Sequence, residues 1–244
     1  MCFERFRGHT LLTRGLSASS RVVDLGANHG DFSNEIAARF GGEFLLVEAN
    51  PALAAELRRT TSFEVLHKAV GTVSRPLSFH VAKNDEASRV DPLPLASHYD
   101  AVLEQRVTVE EVSMESVLAA AGGAADVLKL DIEGSELDAL EAVSDDVIAH
   151  VTQMTVEFHS HPSFGLGGGD RVEALLRRFR QAGFCAFDFS GGTRMDVLFL
   201  NTSVLRPSAA GIARWRSEAA MSWCSYNAMR TRRRLIRLAG DRGQ

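Results

Sequence analysis

The sequence predicts an α/β protein built on a mostly parallel β-sheet of about seven strands, with helices on both faces. Apolar runs of strand length alternate with amphipathic helical stretches along most of the 244 residues, and this alternation is typical of right-handed strand–helix–strand units. The last two apolar runs follow one another with only a glycine-containing turn between them. A parallel return would need a crossover, so we expect that last pair to be antiparallel.

The first half of the chain alternates regularly. Strands are expected at Arg21–Leu25, Glu43–Glu48 and Phe63–Val70. The helices between them are expected from about Asp31 to Arg39 and from Ala52 to Arg59. Gly41 and Gly42 end the first helix, and Pro51 suits the first position of the second.

A hairpin-like insertion interrupts the alternation. Pro76–Ala82 and Gln105–Val112 both alternate apolar and polar residues, and about residues 83–104 form a polar loop between them. Loops of this length are uncommon in compact domains unless they are functional or mobile. We therefore expect this loop to lie over the sheet edge or the active site.

The alternation then resumes to the end of the sheet. Helices are expected at Ser113–Ala121, Ser135–Val143 and Arg171–Ala182, and strands at Asp126–Ile132, Val151–Phe158, Phe184–Phe189 and Val197–Leu200. This organisation predicts one domain over residues 1–205, with its core at 19–202, and a helical extension with a basic tail over 206–244.

Composition excludes several classes of protein. The net charge of −4 argues against a domain that binds nucleic acid through a basic surface. Three cysteines without a CxxC pair indicate neither a disulfide framework nor a zinc cluster. The charged first ten residues lack a signal-peptide core, and no apolar run reaches 18 residues. We therefore expect a cytoplasmic protein without a transmembrane segment.

The turn after the first strand reads VVDLGANHGDF and predicts a nucleotide-binding site. Gly26 and Gly30 allow close backbone approach, Asn28 tolerates a positive φ, and the next strand ends in Glu48, an acid suited to a ribose diol. An NAD site would use GxGxxG, but here Asn28 replaces the second glycine and the third is missing. S-adenosylmethionine carries no phosphate, and its cationic groups suit carboxylates such as Asp24, so this cofactor is favoured over NAD.

A second cluster, VLKLDIEGSE, ends the strand at Asp126–Ile132. The two-residue period of a strand places Lys129, Asp131 and Glu133 on one face near its carboxyl end, where open α/β sheets hold their ligands. The competing interpretation is a salt-bridged strand end followed by a helix N-terminus that Glu136 stabilises.

Together these segments resemble the FkbM-type family of S-adenosylmethionine-dependent methyltransferases. The resemblance rests on VVDLGANHGDFS, LVEANP, HKAVG, VLKLDIEGSELDALEA and TVEFH, which occur in that order between about Arg21 and His159. It implies the class I, Rossmann-like methyltransferase fold and O-methylation of hydroxyls on sugars or natural-product scaffolds. The segment before Ser19 and the tail after Arg206 fall outside the resemblance, and we expect both to shape acceptor choice.

The resemblance also implies a set of site residues. The cofactor would be held by residues from the first turn, the second strand and the third strand: Asp24, Gly26, Asn28, Gly30, Phe32, Glu48, Ala69 and Val70. Asp131 is the first candidate for the base that accepts the acceptor's proton and His159 the second, with Lys129 as a further catalytic candidate. Asp131, Glu133, Glu157 and His159 could alternatively converge on one divalent ion, and a ligand set rich in oxygen would favour magnesium or manganese over zinc.

Two other functions stay open at this point: an NAD-linked oxidoreductase and a non-catalytic cofactor-binding or interaction module. The arginine-rich tail, with Arg230, Arg232, Arg233, Arg234 and Arg237, could touch an anionic membrane surface. Cations also suit a solvated helix end, which is the interpretation that we favour. The expected partner is a small-molecule or glycan hydroxyl acceptor, with no nucleic acid; the sequence does not specify the oligomeric state.

Overall fold

The computed structural model describes residues 2–82, 89–90, 103–159 and 168–222. Its strands are β1 (Phe3–Phe6), β2 (His9–Leu12), β3 (Arg21–Leu25), β4 (Glu43–Glu48), β5 (Glu64–His67), β6 (Ala69–Gly71), β7 (Arg75–Ala82), β8 (Arg89–Val90), β9 (Leu103–Ser113), β10 (Ala125–Leu130), β11 (Val151–Val156), β12 (Phe184–Asp188) and β13 (Val197–Asn201). Its helices are α1 (Asp31–Phe40), α2 (Pro51–Thr60), α3 (Met114–Ala120), α4 (Glu136–Ala142), α5 (Asp145–Ile148), α6 (Gly169–Gln181) and α7 (Thr202–Leu205). Residues 209–222 form a further helix.

The central sheet has seven strands in the order β12-β13-β11-β10-β3-β4-β5. All of its pairings are parallel except those of β13, which is antiparallel to both β11 and β12. The predicted seven-stranded sheet with a reversed end is therefore confirmed. The strand order reverses between β3 and β10, and in open α/β sheets a ligand crevice lies at this switch point, beyond the carboxyl ends of the strands.

Two apolar layers cover the sheet because its strands are hydrophobic on both sides. Val23 and Leu25 pack on one face with residues of α3, α4 and α6. Val22, from the same strand, packs on the other face with α1, α2 and the hairpin β1–β2. Strand side chains alternate between faces, so continuous apolar runs produce a sheet that is buried on both.

The strand expected at Phe63–Val70 divides into two strands in different sheets. β5 pairs with β4 in the central sheet, whereas β6 pairs with β9 in a four-stranded sheet of order β6-β9-β7-β8. The amide of Lys68, between them, donates to the carbonyl of Glu48 at 3.1 Å, which keeps the start of β6 beside the carboxyl end of β4. The antiparallel pairing of β7 with β9 confirms the predicted insertion hairpin. Its expected loop, residues 83–104, is shortened by β8 and the start of β9, and the rest lies outside the described residues.

An N-terminal hairpin, β1–β2, is a part of the fold that the sequence did not predict. Buried Asp196 accepts hydrogen bonds from the Thr10 amide at 2.9 Å and from its hydroxyl at 2.7 Å. Gln153 exchanges two hydrogen bonds with the backbone of Leu12, at 2.8 and 3.0 Å. These side-chain contacts join the hairpin to β11 and to the segment before β13.

The C-terminal extension begins differently from the expectation of a helix from Arg206 onward. α7 ends before Arg206, whose φ of 46° is left-handed, and the next helix begins at residue 209. Trp215 of that helix is buried against Phe3 and Phe187 in an apolar cluster. The arginine-rich run lies outside the described residues, and the boundary between domain and extension stays a prediction. Within the part of the chain that is described, no helix is both long and apolar enough to cross a membrane.

Candidate active site

The glycine turn after β3 lies directly against the end of β10. Gly26 has a φ of 78°, and a Cβ built on it would lie 1.8 Å from the carbonyl oxygen of Asp131. Asn28 also has a left-handed φ, of 50°, which asparagine tolerates better than most residues. Gly30, with a φ of 76°, precedes α1. The turn therefore packs tightly against the end of β10 at the switch point, and the close approach of a ligand to it stays a prediction.

Glu48 lies at the end of β4, beside this turn. Its carboxylate is buried and accepts one backbone N–H on each oxygen, from Asn28 at 2.8 Å and from Asn50 at 2.7 Å. Burial raises the pKa of Glu48, and the two amides oppose that effect. The carboxylate is held in one orientation, and each oxygen keeps lone-pair capacity for a further donor.

A buried ion pair lies beneath the turn. Lys129 donates from Nζ to the carbonyl of Gly26 at 2.8 Å and lies 3.1 Å from Oδ1 of Asp24. Asp24 is fully buried, and its other oxygen accepts a hydrogen bond from Ser33 at 2.7 Å. Phe32 packs within 5.9 Å of the ammonium. Asp24, Lys129 and Phe32 thus support the turn from below, and the contacts predicted for them with cofactor or substrate stay predictions.

Asp131 is the point where several elements of the fold meet. Its Oδ2 lies 3.4 Å from Nε2 of His9 and 3.7 Å from Nζ of Lys129, and its Oδ1 lies 3.9 Å from Nε2 of His159. Burial alone would raise the pKa of Asp131, but Lys129, His9 and His159 together hold it well below its usual range. This carboxylate stays ionised across the physiological range and is a weak proton acceptor.

His159 is fixed by a carboxylate on each of its ring nitrogens. Nδ1 lies 2.9 Å from Oε1 of Glu136, and Nε2 lies 3.3 Å from Oε2 of Glu133. Burial would lower the pKa of His159, yet Glu136 above all, with Glu133 and Asp131, raises it well above its ordinary value. The imidazolium form is therefore stabilised, which makes His159 a poor base at neutral pH.

Glu136 is a buried acid that accepts several hydrogen bonds. Its Oε1 accepts the backbone N–H of Ile132 at 2.9 Å and that of Gly134 at 3.1 Å, in addition to His159. The segment after β10 needs this support because Glu133 and Gly134 both have positive φ. Glu136 holds the loop and the imidazole in one arrangement, close to the structural role that its helix N-terminus suggests.

Two further carboxyl groups of the crevice have pKa values near neutral pH. Burial raises the pKa of Glu133 to about 8, although His159 opposes the shift. Burial and the charge of Asp131 raise the pKa of Glu157 to about 7. Both side chains remain partly exposed, at 32% and 22%. The crevice therefore pairs a strongly acidic Asp131 with two carboxyls that can take up a proton.

Comparison with known proteins identifies this arrangement. A family model described as the methyltransferase FkbM domain matches residues 24–185, well over half of the chain. The chain belongs to the FkbM methyltransferase family. No curated protein sequence matches the chain.

A solved structure of an FkbM methyltransferase agrees with this assignment at the level of the fold. An FkbM methyltransferase from Methylobacillus flagellatus KT shares 16% identity and a TM-score of 0.50, with 81% of this chain and 48% of that chain covered. The FkbM chain described here thus spans about half the length of that relative. A SAM-bound amino pentose methyltransferase of calicheamicin biosynthesis from Micromonospora echinaspora shares 12% identity at a TM-score of 0.39, with 75% and 84% covered.

The FkbM fold brings most of the predicted site residues to one edge of the sheet. Asp131, Glu133, Glu157 and His159 cluster at the ends of β10 and β11. Ala69 and Val70 are buried in β6, near the end of β4. Their predicted place beside the adenine stays a prediction.

The predicted divalent-ion site fits these residues poorly. Potential ligand atoms fall into two groups that share Asp131, one with His9 and Glu157 and one with Glu133 and His159. A histidine ligand must be neutral, but both nitrogens of His159 face carboxylates that favour its charged form. The chemistry of this donor set thus argues against the four-residue set as a metal site.

His9 is the site residue that sequence reasoning missed. It comes from the unpredicted hairpin, lies outside the FkbM match, and is 1% exposed. Its Nδ1 lies 3.3 Å from the hydroxyl of Thr155, and its Nε2 faces Asp131. Because an ionised carboxylate only accepts hydrogen bonds, Nε2 donates to Asp131. No motif surrounds His9, so only the three-dimensional placement of the hairpin reveals it.

Proposed function

We propose that this FkbM-family chain binds S-adenosylmethionine and transfers its methyl group to a hydroxyl of a sugar or natural-product scaffold. The observation that carries the proposal is the charge of the crevice. Carboxylates from β4, β10 and β11 face it, whereas Lys129 and His159 each lie against a carboxylate of the protein itself. Such a surface suits a cofactor with ammonium and sulfonium groups and repels the diphosphate of NAD.

The cofactor half of the site is supported by the turn and by Glu48. The turn keeps Gly26 and Asn28 half-buried at the crevice. Glu48, held by the amide of Asn28, is oriented to accept hydrogen bonds from a ribose diol. Lys129 fixes the turn through the Gly26 carbonyl and neutralises Asp24. The site is preorganised because these contacts exist among the protein's own residues.

Methyl transfer from a sulfonium is an in-line displacement. The acceptor oxygen forms a bond to the methyl carbon, the carbon–sulfur bond breaks, and its electron pair stays on sulfur as the neutral thioether. Holding the oxygen behind the methyl group is worth up to about 7–11 kcal/mol in favourable cases. Asp131, held by His9 and Lys129, is suited to accept a hydrogen bond from the acceptor hydroxyl and to orient it.

Ligand-dependent thermal stability tests the cofactor assignment. A ligand at 100 times its Kd stabilises the native state by about 2.7 kcal/mol. We expect S-adenosylmethionine and S-adenosylhomocysteine to raise the melting temperature and NAD to leave it unchanged, with or without magnesium. Stabilisation by NAD alone would overturn the proposal, and stabilisation by no ligand would favour a non-catalytic module.

Replacing Asp131 tests the catalytic part of the proposed function. In Asp131→Asn we expect the transfer rate to fall by at least about 10²-fold, the size of effect that lost orientation produces, while S-adenosylhomocysteine still binds. Calorimetry with S-adenosylhomocysteine and transfer of labelled methyl groups to a panel of methyl glycosides measure the two separately. Undiminished transfer in the variant would contradict the role given to Asp131.

A further inference from the structure

Glu157 follows the last residue of β11 and lies beside the end of β10. Its backbone N–H donates to the carbonyl of Leu130 at 3.0 Å, which continues the parallel pairing one residue beyond the strands. A carboxylate oxygen of Glu157 lies within 4.8 Å of both an Asp131 carboxylate oxygen and a ring nitrogen of His9. Glu157 and Asp131 therefore flank the same point of the crevice from adjacent strands.

The other groups around this point already have close partners. Both oxygens of Asp131 face cationic or donor groups, and both nitrogens of His159 face carboxylates. Glu133 lies 3.3 Å from His159. The carboxylate of Glu157 makes no hydrogen bond in the described part of the chain, and its nearest ion-pair partner there, Nε2 of His159, is 3.9 Å away.

We propose that Glu157 is the catalytic group that accepts the proton of the acceptor hydroxyl, while Asp131 orients that hydroxyl; this inference rests on the proposed function. The hydroxyl proton passes to a carboxylate oxygen of Glu157 as the acceptor oxygen bonds to the methyl carbon. The sulfonium leaves as a neutral thioether, and the charges balance. Glu157 is 22% exposed, so the proton can leave to solvent and restore the carboxylate.

The electrostatics of the crevice support this division of roles. A general base works best when its pKa lies near the working pH, and burial, with Asp131, raises the pKa of Glu157 to about 7. Two carboxyls whose pKa values are pushed apart mark separate roles. The titratable groups that face Glu157 from the neighbouring elements are Asp131, Lys129, Glu133, Glu136, His159 and His9.

The experiment is a pH profile of kcat/KM for transfer of labelled methyl groups to methyl glycosides. We expect the wild-type rate to rise with pH along a limb with an apparent pKa near 7. Glu157→Gln should lose this limb and be slower by about 10²–10⁴-fold, while Glu157→Asp recovers part of the rate. Glu133→Gln is the matched control, because its pKa is also raised, and it should keep the limb.

Binding of S-adenosylhomocysteine, measured by calorimetry, shows that each variant is folded. If Glu157→Gln does not bind S-adenosylhomocysteine, Glu157→Asp takes its place in the experiment. The expected result is then a slower transfer rate and a limb of the pH profile with a shifted apparent pKa. A limb that survives in Glu157→Gln, or that disappears in Glu133→Gln instead, overturns the assignment. A wild-type protein that binds S-adenosylhomocysteine but methylates no glycoside contradicts the proposed acceptor class, and with it this inference.

Discussion

Substituting Gly26 with alanine would test how tightly the glycine turn and β10 are packed. The Cβ of alanine would lie 1.8 Å from the carbonyl oxygen of Asp131 and 2.8 Å from its carbonyl carbon. Both are backbone atoms, so no side-chain rotation can relieve the overlap. Either the turn or the end of β10 must move.

The expected cost has two parts that a matched control separates. Gly26 has a φ of 78° and Gly123 a φ of 82°, but a Cβ at Gly123 would meet nothing within 4 Å. Gly123→Ala should therefore be destabilised only by the left-handed backbone, by about 1–2 kcal/mol. Gly26→Ala should be destabilised by the same backbone effect and also by the atomic overlap, which adds about 1–3 kcal/mol. For a domain of this size, 1 kcal/mol lowers the melting temperature by about 2–4 °C.

Urea unfolding and thermal melting of the two variants measure the difference. We expect Gly26→Ala to be less stable than Gly123→Ala by about 1–3 kcal/mol, or roughly 2–12 °C. It should also bind S-adenosylhomocysteine more weakly, because the turn that it displaces belongs to the proposed cofactor site. Equal losses of stability in the two variants would refute the close contact between Gly26 and Asp131.

Three further predictions concern polar groups of the candidate site and of the N-terminal hairpin. Glu136→Gln should lower the pKa of His159, because Glu136 is the main group that raises it. NMR titration of the imidazole measures this pKa, and an unchanged value would contradict the prediction. Thr10→Val should lower the free energy of unfolding in urea by about 1–3 kcal/mol, because buried Asp196 loses a hydrogen-bond donor. Ser17→Ala, in an exposed loop, is the control. Equal stabilities of the two variants would count against the contact between Thr10 and Asp196 as a support of the hairpin. The raised pKa of Glu133, about 8, means that the native state binds more protons than the unfolded state between pH 4.5 and 8, so its stability falls as pH rises through that window. Glu133→Gln should flatten this fall, measured by urea unfolding at pH 5 and 8, and an unchanged slope would contradict it.

The central sheet could be predicted because its signals are local. The run Arg21–Leu25, the glycine turn and the helix after it occur in one continuous segment, and the strand at Asp126–Ile132 repeats the pattern. The division of Phe63–Val70 into β5 and β6 could not be predicted in the same way. It involves a hydrogen bond from the amide of Lys68 to the carbonyl of Glu48 at the distant end of β4, which no local periodicity encodes.

The N-terminal hairpin escaped prediction for a related reason. Its two strands have four residues each, and isolated hairpins of this size are marginal in water. It is held instead by Asp196 and Gln153, which are more than 140 positions away in the chain. The same long-range contacts bring His9 to Asp131, so the missed strand and the missed site residue have one cause.

The candidate site shows why motifs locate groups better than they assign proton states. The block that contains Lys129 and Asp131 pointed to Asp131 as the base, but the adjacent lysine, with His9 and His159 from distant elements, makes that carboxylate strongly acidic. Glu157 lies outside that block, and its capacity to take up a proton arises from burial and from the charge of Asp131 across the sheet. A pKa depends on the surrounding charges in three dimensions, so the residue best marked by the motif need not be the one that accepts the proton.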